Sequence, residues 1–172
     1  GATVRWLHPV IGIVLFFSFL LLFLQMWRLN LPAREDATWV ARIGDVVAGH
    51  EERLPELGKY NAGQKLVFWS MTRLILVLIV SGLMIWEEQV HLWAPYAPEL
   101  AAIPARLVAV AVHALAAVAI ILVFILHVYA AFWTRGTLSA MTTGTVSGGW
   151  AWRHHRKWLR ELAGRPRSGP AN

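Results

Sequence analysis

Three long apolar blocks divide the chain, and polar segments separate them. The blocks run over residues 6–28, 66–86 and 105–133. A helix rises about 1.5 Å per residue, so each block is long enough to cross about 30 Å of hydrocarbon. The apolar residues are continuous within a block instead of recurring at amphipathic spacing. The pattern predicts one all-α membrane domain over residues 1–172, built as a helical bundle with three transmembrane helices.

Composition agrees with a lipid environment. Hydrophobic residues make up 57% of the chain, and ten residues are tryptophan. Tryptophan prefers the headgroup level of a bilayer, because its ring is apolar and its N–H is polar. Five tryptophans fall near the ends of the blocks: Trp6, Trp27, Trp69, Trp86 and Trp133. Their positions support the predicted limits of the spans.

Lysine and arginine predict the orientation of the spans. Six of them lie between Arg28 and Lys65, seven lie from Arg135 onward, and the segment between Glu87 and Arg106 has only Arg106. Cytoplasmic segments carry the excess of positive charge. We therefore expect a cytoplasmic loop at 29–65, an outer loop at 87–104 and a cytoplasmic basic tail at 134–172. The N-terminus of this chain would lie outside and the C-terminus inside.

Charge and cysteine content limit the possible functions. The net charge is +6, but the basic residues adjoin membrane spans, so anionic lipid or a cytoplasmic partner explains them better than nucleic acid does. The chain has no cysteine. That excludes thiolate-held iron–sulfur clusters, covalent C-x-x-C-H haem attachment and disulfides within this chain. A redox centre here would need histidine or methionine ligands.

The cytoplasmic loop contains one amphipathic segment. Residues 37–48 predict a single short helix, on which Trp39, Val40, Ile43 and Val47 share an apolar face. Such a helix would lie on the bilayer surface.

Two histidines, His113 and His127, lie fourteen residues apart in the third block, and His8 lies one turn into the first. On one helix, fourteen residues place the two rings about 40° apart around the axis and about 21 Å apart along it. These side chains could simply be satisfied by neighbouring carbonyls or polar groups. Ionisable residues inside a membrane are nevertheless costly, and the spans contain no acid to pair with them. Ligation of a metal or haem is the favoured interpretation.

The predicted topology decides which histidines can meet. The first and third helices run in the same direction, so His8 and His113 would both lie toward the outer face. They can bracket one haem iron with two axial imidazoles. Gly12, Ala116 and Ala117 would leave room for a flat macrocycle, although ordinary packing of small residues explains them equally well.

His127 has no intramembrane histidine left to pair with. It would serve either a second haem that lacks one ligand within this chain or another group, such as a quinone. The remaining histidines, His50, His91, His154 and His155, predict solvated or interface roles. Their spacing does not suit a structural zinc site.

Four motifs carry a resemblance to a known family. They are LHPVIGI at Leu7–Ile13, GKYNAGQKLVFW at Gly58–Trp69, HALAAVAIILVFILHVYAAFW at His113–Trp133 and WAWRHHRKWLREL at Trp150–Leu162. Together they resemble the cytochrome b (gamma) subunit of membrane-bound formate dehydrogenase, and the GKYNAGQK segment is the most specific of them. The resemblance implies a di-haem cytochrome b bundle of four helices, with two b-type haems and a quinone site near the cytoplasmic face.

The resemblance also implies individual haem ligands. His8 and His113 match the axial ligands of the outer haem, and His127 matches one ligand of the inner haem. The family's second inner ligand lies on a helix ahead of Leu7 that this sequence lacks. We expect that an N-terminal segment is missing, although another chain could supply the ligand, or the inner haem could be absent.

The same resemblance places Asn61, Gly63 and Gln64 beside the quinone headgroup. Amide side chains and a glycine-exposed backbone N–H can donate hydrogen bonds to a quinone carbonyl. Without the resemblance, an N-cap turn opening the second helix is the better interpretation of Asn61. Glu56 and Lys59 could relay protons nearby, but surface charges explain them more simply.

The implied function is that of a haem-containing membrane anchor in the bacterial inner membrane. Formate would be oxidised on a molybdenum or tungsten catalytic subunit, and an iron–sulfur subunit would deliver electrons through this chain to membrane quinone. This chain would not act on formate itself. One alternative is the cytochrome b subunit of a related hydrogenase or thiosulfate reductase. Another is a non-redox transporter or anchor, which would show no visible absorbance.

Overall fold

The computed structural model of the chain describes residues 2–86, 92–134 and 136–164. His91 and part of the predicted outer loop fall outside these ranges, as do Arg135 and residues 165–172 of the predicted tail. Every regular element in the described residues is helical, which confirms the all-α prediction.

The helices follow one another along the chain with short connections. Their bounds are α1 Ala2–Met26, a 3-10 turn Trp27–Asn30, α2 Arg34–Ala41, α3 Ile43–Ala48, a 3-10 turn Glu51–Arg53, α4 Ala62–Ile85, α5 Pro98–Ala101, α6 Ile103–Trp133, α7 Thr137–Thr143, α8 Gly148–His154 and α9 Arg156–Ala163.

In the described part of the chain, three helices are long and apolar enough to span a membrane, as predicted: α1, α4 and α6. Helix α4 begins at Ala62, four residues before the predicted start, because the polar turn after Asn61 is already helical. Helix α6 begins at Ile103, with Pro104 in its first turn. A proline is tolerated there, because the N–H that it lacks has no intrahelical partner.

The single loop helix predicted for 37–48 is wrong. The segment forms two helices, α2 and α3, which meet at Arg42, where the backbone leaves the helical region (φ −108°, ψ 27°). Of the predicted apolar face, Trp39 is buried, whereas Val40, Ile43 and Val47 are at least half exposed. The predicted apolar face is therefore not buried as one surface.

The chain divides into two compact units. One comprises Gly1–Trp27 with Val67–His127, and the other comprises Arg28–Leu66 with Val128–Asn172. We call them the membrane unit and the loop unit. The boundaries fall within α4, after Leu66, and within α6, after His127.

In the membrane unit, side-chain contacts fix the relative directions of the three long helices. Phe23 near the end of α1 stacks on Phe68 near the start of α4, with ring centroids 5.8 Å apart. His113 of α6 lies beside both His8 near the start of α1 and Ser81 near the end of α4. Helix α4 is therefore antiparallel to α1. Ile85 at the end of α4 and Ile103 at the start of α6 line one pocket, so α6 is antiparallel to α4 and parallel to α1, as the topology argument predicts.

The surface of the membrane unit is apolar. Large side chains such as Leu21, Leu115 and Leu126 are each more than half exposed. The hydroxyls of Ser18, Thr72 and Ser81 each donate to the carbonyl four residues earlier in the same helix. Hydroxyls satisfied in this way suit a lipid environment, which offers no water.

The loop unit has a small core of its own. Trp39, Leu57 and Ala62 are buried together, and Val46 and Leu54 pack against them. Helix α9 belongs to the same unit and is joined to the segment Arg28–Leu66 by ion pairs at the surface. Lys157 pairs with Glu35 at 2.5 Å, and Arg160 pairs with Glu56.

Candidate functional site

The membrane unit brings His8 and His113 together. Their ring centroids lie 6.1 Å apart, and the ring planes are inclined at 79°. The two residues are 105 positions apart in the sequence, so the contact depends on α1 and α6 packing in parallel. Two imidazoles facing each other inside an apolar helix bundle form the candidate site.

The spacing of the two rings fits a pair of axial ligands to one iron. A metal–nitrogen bond to histidine is about 2 Å long, and the ring centre lies about 1.1 Å beyond the bonding nitrogen, so two ligands across one metal place their ring centres about 6.2 Å apart. The measured 6.1 Å agrees with this value. Haem b held by two imidazoles is therefore compatible with these residues.

The two glycines near this pair differ in their surroundings. A methyl group added at Gly12, one turn after His8, would meet no atom within 4 Å. A methyl group added at Gly82 of α4 would lie 3.4 Å from Cε1 of His113. Ala116, in contrast, is buried, which favours the helix-packing interpretation for that residue.

Sequence reasoning missed Ser81, which contacts His113 directly. Its Oγ lies 3.0 Å from the imidazole Nδ1 and donates at 2.6 Å to the Val77 carbonyl. The only signal in the sequence is a Ser-Gly pair near the end of an otherwise apolar block. That pair alone does not distinguish a ligand contact from an ordinary satisfied hydroxyl.

His127 lies in the same continuous helix as His113, as predicted. It is partly buried and has neither a ring contact nor a hydrogen bond within the described residues. No second imidazole faces it in that part of the chain.

Asn61 and Gln64 form a reciprocal cap at the start of α4. The Asn61 Oδ1 accepts from the Gln64 N–H at 2.9 Å, and the Gln64 Oε1 accepts from the Asn61 N–H at 3.0 Å. This arrangement is a capping box, which satisfies two backbone donors at a helix start. The N-cap interpretation of Asn61 is confirmed.

Gly63 has a packing reason of its own. A methyl group at this position would lie 3.1 Å from Cη2 of Trp39 and 3.3 Å from Oδ1 of Asn61. The glycine lets the first turn of α4 approach the buried indole closely. Any larger residue would displace either Trp39 or the cap.

Comparison with known proteins identifies the family. Residues 1–144 match the prokaryotic cytochrome b561 family. The chain is 40% identical over 158 residues to the formate dehydrogenase cytochrome b556(fdo) subunit of Escherichia coli K12, a match that covers 92% of this chain and 71% of that protein. The chain belongs to the prokaryotic cytochrome b561 family.

Two further relatives carry similar names. The nitrate-inducible formate dehydrogenase cytochrome b556(Fdn) subunit of Escherichia coli K12 is 36% identical over 158 residues, which are 92% of this chain and 70% of that protein. The formate dehydrogenase cytochrome b556 subunit of Haemophilus influenzae is 33% identical over 157 residues, which are 91% of this chain and 63% of that protein. This cytochrome is thus an integral membrane protein of a haem b-binding family.

Two adjacent histidines of the cytochrome's tail differ sharply in environment. His155 is only 5% exposed, and its Nδ1 donates to the Gly58 carbonyl at 2.7 Å. The Trp158 N–H also donates to the Leu57 carbonyl, at 3.4 Å. Both bonds hold the tail against the segment that precedes the Asn61 cap. His154 is only partly buried and packs on the Trp150 ring, with centroids 4.7 Å apart, and His155 lies 5.2 Å from the same ring.

The remaining candidates from the cytochrome's sequence have ordinary roles in the structure. His50 is exposed and lies 3.8 Å from Asp45. Glu56 pairs with Arg160, and the Lys59 ammonium lies 5.7 Å from the centre of the Tyr60 ring. These contacts explain the residues as surface charges.

We predict that tail docking weakens as the pH falls. Burial lowers the pKa of His155 in the docked state, and the bond to Gly58 only partly opposes this. The undocked tail therefore takes up a proton more readily. The docked state has its full stability above the ordinary histidine pKa of about 6.5 and loses stability as the pH falls through the lowered value. The rate of amide hydrogen exchange in α9, corrected for its intrinsic pH dependence, should rise as the pH is lowered from 8 to 5.5.

A His155→Gln variant tests the assignment, since it removes the titrating group while leaving an amide donor. Its exchange in α9 should be nearly independent of pH over that range. Glu35 does not interfere, because the hydrogen bond from Lys157 lowers its pKa further below the range tested. An unaltered pH dependence in His155→Gln would refute the assignment, and a His154→Gln variant serves as the matched control.

Proposed function

We propose that this chain is the haem b-containing membrane anchor and electron-transfer subunit of a formate dehydrogenase complex, and that it passes electrons from an iron–sulfur subunit to membrane quinone. A separate molybdenum or tungsten subunit would oxidise formate. The proposal places the chain in a bacterial inner membrane, with its N-terminus outside and its C-terminus in the cytoplasm, as the distribution of lysine and arginine indicates.

One observation carries the proposal: the pairing of His8 with His113 between two parallel membrane helices. Haem bound there would supply a one-electron redox centre. The chain's own residues hold both imidazoles at a spacing suited to one iron.

We assign His127 to a second haem. It lies on the helix that carries His113, four turns further along, so that the two sites would be about 21 Å apart along the axis. That separation matches two redox centres, one in each half of a bilayer about 30 Å thick.

The quinone would bind at the Asn61 cap. Both amide oxygens of the capping box accept backbone N–H groups, so the amide nitrogens of Asn61 and Gln64 point away from the cap. Within the described residues these NH₂ groups have no hydrogen-bond partner. Each can donate to a quinone carbonyl while its oxygen maintains the helix start, so a structural cap and a quinone site are compatible.

We predict that Asn61→Asp and Gln64→Glu each weaken the binding of a quinone analogue about tenfold or more, since loss of one hydrogen bond is worth about 1 to 1.5 kcal/mol. Both substitutions keep the acceptor oxygen of the capping box and replace the NH₂ donor by a negatively charged carboxylate oxygen, which repels a quinone carbonyl and is favourable at a helix N-terminus. Haem content and helix stability should stay unchanged. Titration of the purified complex with the analogue measures the affinity directly.

Unchanged affinity in both variants would show that Asn61 and Gln64 do not bind the quinone. A matched control is Thr72→Val, which removes a buried hydroxyl elsewhere on α4, where Oγ1 donates to the Phe68 carbonyl. Its affinity for the analogue should equal that of the wild type.

The proposed complex can be tested by purifying the chain from native membranes without separating its partners. Mass spectrometry should identify an iron–sulfur subunit and a molybdenum or tungsten subunit. Formate should then reduce the b-type haem of the sample, and added quinone should reoxidise it. The proposal would be wrong if formate did not reduce the haem and the chain were purified with the catalytic subunit of a hydrogenase or a thiosulfate reductase. The chain would then be the cytochrome b subunit of that enzyme.

A further inference from the structure

We infer that Ser81 is a positioning residue that fixes the tautomer and the ring plane of His113, and thereby tunes the reduction potential of the outer haem. The inference rests on the proposed assignment of His8 and His113 to that haem. Ser81 lies on α4, which contributes neither histidine.

The hydrogen bonds of Ser81 determine the tautomer of His113. A hydroxyl has one proton, and the Ser81 proton is directed to the Val77 carbonyl at 2.6 Å. The Oγ can then only accept from His113, whose Nδ1 lies 3.0 Å away. Nδ1 therefore carries the proton, and the lone pair is left on Nε2. That is the tautomer in which Nε2 can bind iron.

Burial and packing make the contact rigid. Ser81 is 4% exposed, so water does not compete for its Oγ. The neighbouring Gly82 lies against the same imidazole, where an added methyl group would be 3.4 Å from Cε1 and 3.7 Å from Nδ1. The Ser-Gly pair thus supplies a hydrogen bond to one edge of the ring and a close backbone contact beside it.

Only one of the two imidazole rings of the site is held by a hydrogen bond. His8 is exposed, and no hydrogen bond fixes its ring within the described residues. His113 is thus the ligand whose orientation is set before haem binds, and the 79° angle between the rings depends on its anchoring.

The hydrogen bond should lower the reduction potential. Donation from Nδ1–H makes a ligating imidazole more basic, and a more basic ligand favours the more highly charged, oxidised iron. In Ser81→Ala we expect the preference for oxidised iron to fall about tenfold, which for a one-electron couple raises the potential by about 59 mV. The low-spin electron paramagnetic resonance signal of the outer haem should also change, because it depends on the angle between the two axial ring planes.

The test is a redox titration and a resonance spectrum of the purified complex, compared between wild type, Ser81→Ala and Ser81→Thr. The threonine variant keeps the acceptor oxygen and should restore the wild-type values. Thr72→Val is the matched control, since it removes a buried hydroxyl of the same helix that makes the same type of bond and has no recorded contact with His113. Full haem content with unchanged potential and signal in Ser81→Ala would overturn the inference.

A second variant covers the case in which Ser81→Ala does not assemble. An added methyl group at Gly82 would make only ordinary van der Waals contact with His113, so the second variant has a larger side chain. Gly82→Val places branched methyl groups against the imidazole and should turn the His113 ring and shift the same signal while Ser81 is intact. An unchanged signal in Gly82→Val would contradict the inference that contacts from α4 set the orientation of the His113 ring. A wrong haem assignment can be distinguished from a wrong role for Ser81. If His113 is not a haem ligand, a His113→Ala variant will keep its full haem content.

Discussion

A His113→Ala variant is expected to lose the outer haem of the complex, which is one equivalent of haem b per chain. His8→Ala should lose the same haem, because the two rings face each other at a spacing that suits one iron. An iron that has lost one of its two axial imidazoles would be held by the other alone, which binds haem far less tightly than the pair. Haem extraction and the pyridine haemochrome assay measure the stoichiometry.

His50→Ala is the matched control for these variants. His50 is an exposed histidine of the loop unit, and its removal should leave the haem content unchanged. The ligand assignment would be wrong if His113→Ala kept the wild-type stoichiometry. Loss of different haems in His8→Ala and His113→Ala would also contradict it, since both residues are assigned to one iron.

Removal of Asp36 is expected to destabilise the loop unit by about 1 to 3 kcal/mol, because it leaves the Lys65 ammonium, which water reaches only in part, without its partner. The Lys65 Nζ lies 2.8 and 3.0 Å from the two carboxylate oxygens, and the Lys65 and Asp36 side chains are only 12% and 16% exposed. One of these oxygens also accepts the Ala33 N–H at 2.7 Å, at the start of α2. Chemical denaturation of the purified complex gives the apparent free energy of unfolding.

Two further variants separate the ion pair from other effects of the substitution. The double variant Asp36→Leu with Lys65→Met removes both charges and should recover part of the loss, because replacing a buried pair with apolar residues is often close to neutral. Arg53→Met breaks an exposed pair with Asp45 and should cost under about 1 kcal/mol. Equal losses in Asp36→Ala and Arg53→Met would show that the Asp36 pair is not effectively buried.

The helical spans and the histidine pair could be predicted from the sequence, because both follow from simple geometry. Block length against bilayer thickness gives the three spans. Parallel directions for the first and third spans then bring His8 and His113 to one level. Both steps depend on regular helices, and α1 and α6 are continuous through the relevant residues.

The role of Ser81 could not be predicted in this way. In the sequence it is one of several hydroxyls within apolar blocks, and Ser18 and Thr72 make the same bond to a carbonyl four residues earlier. Only the packing of α4 against α6 distinguishes Ser81 from the other two. The burial of His155 could not be predicted either, because it depends on how the tail docks.

The break in the loop helix was missed for a related reason. Apolar spacing over 37–48 is compatible with a single helix, but in the structure the backbone leaves the helical region at Arg42, and Trp39 before the break and Val46 after it pack in one small core. The spacing of apolar residues along the segment does not predict where that core lies.

The reduced-minus-oxidised visible spectrum of the purified wild-type complex tests the haem assignment most directly. We predict the α band of a b-type haem, with at least one non-covalently bound haem per chain and a lower intensity in both His8→Ala and His113→Ala. A purified, folded complex without any b-type α band would contradict the assignment of these histidines to haem and, with it, the proposed electron-transfer function.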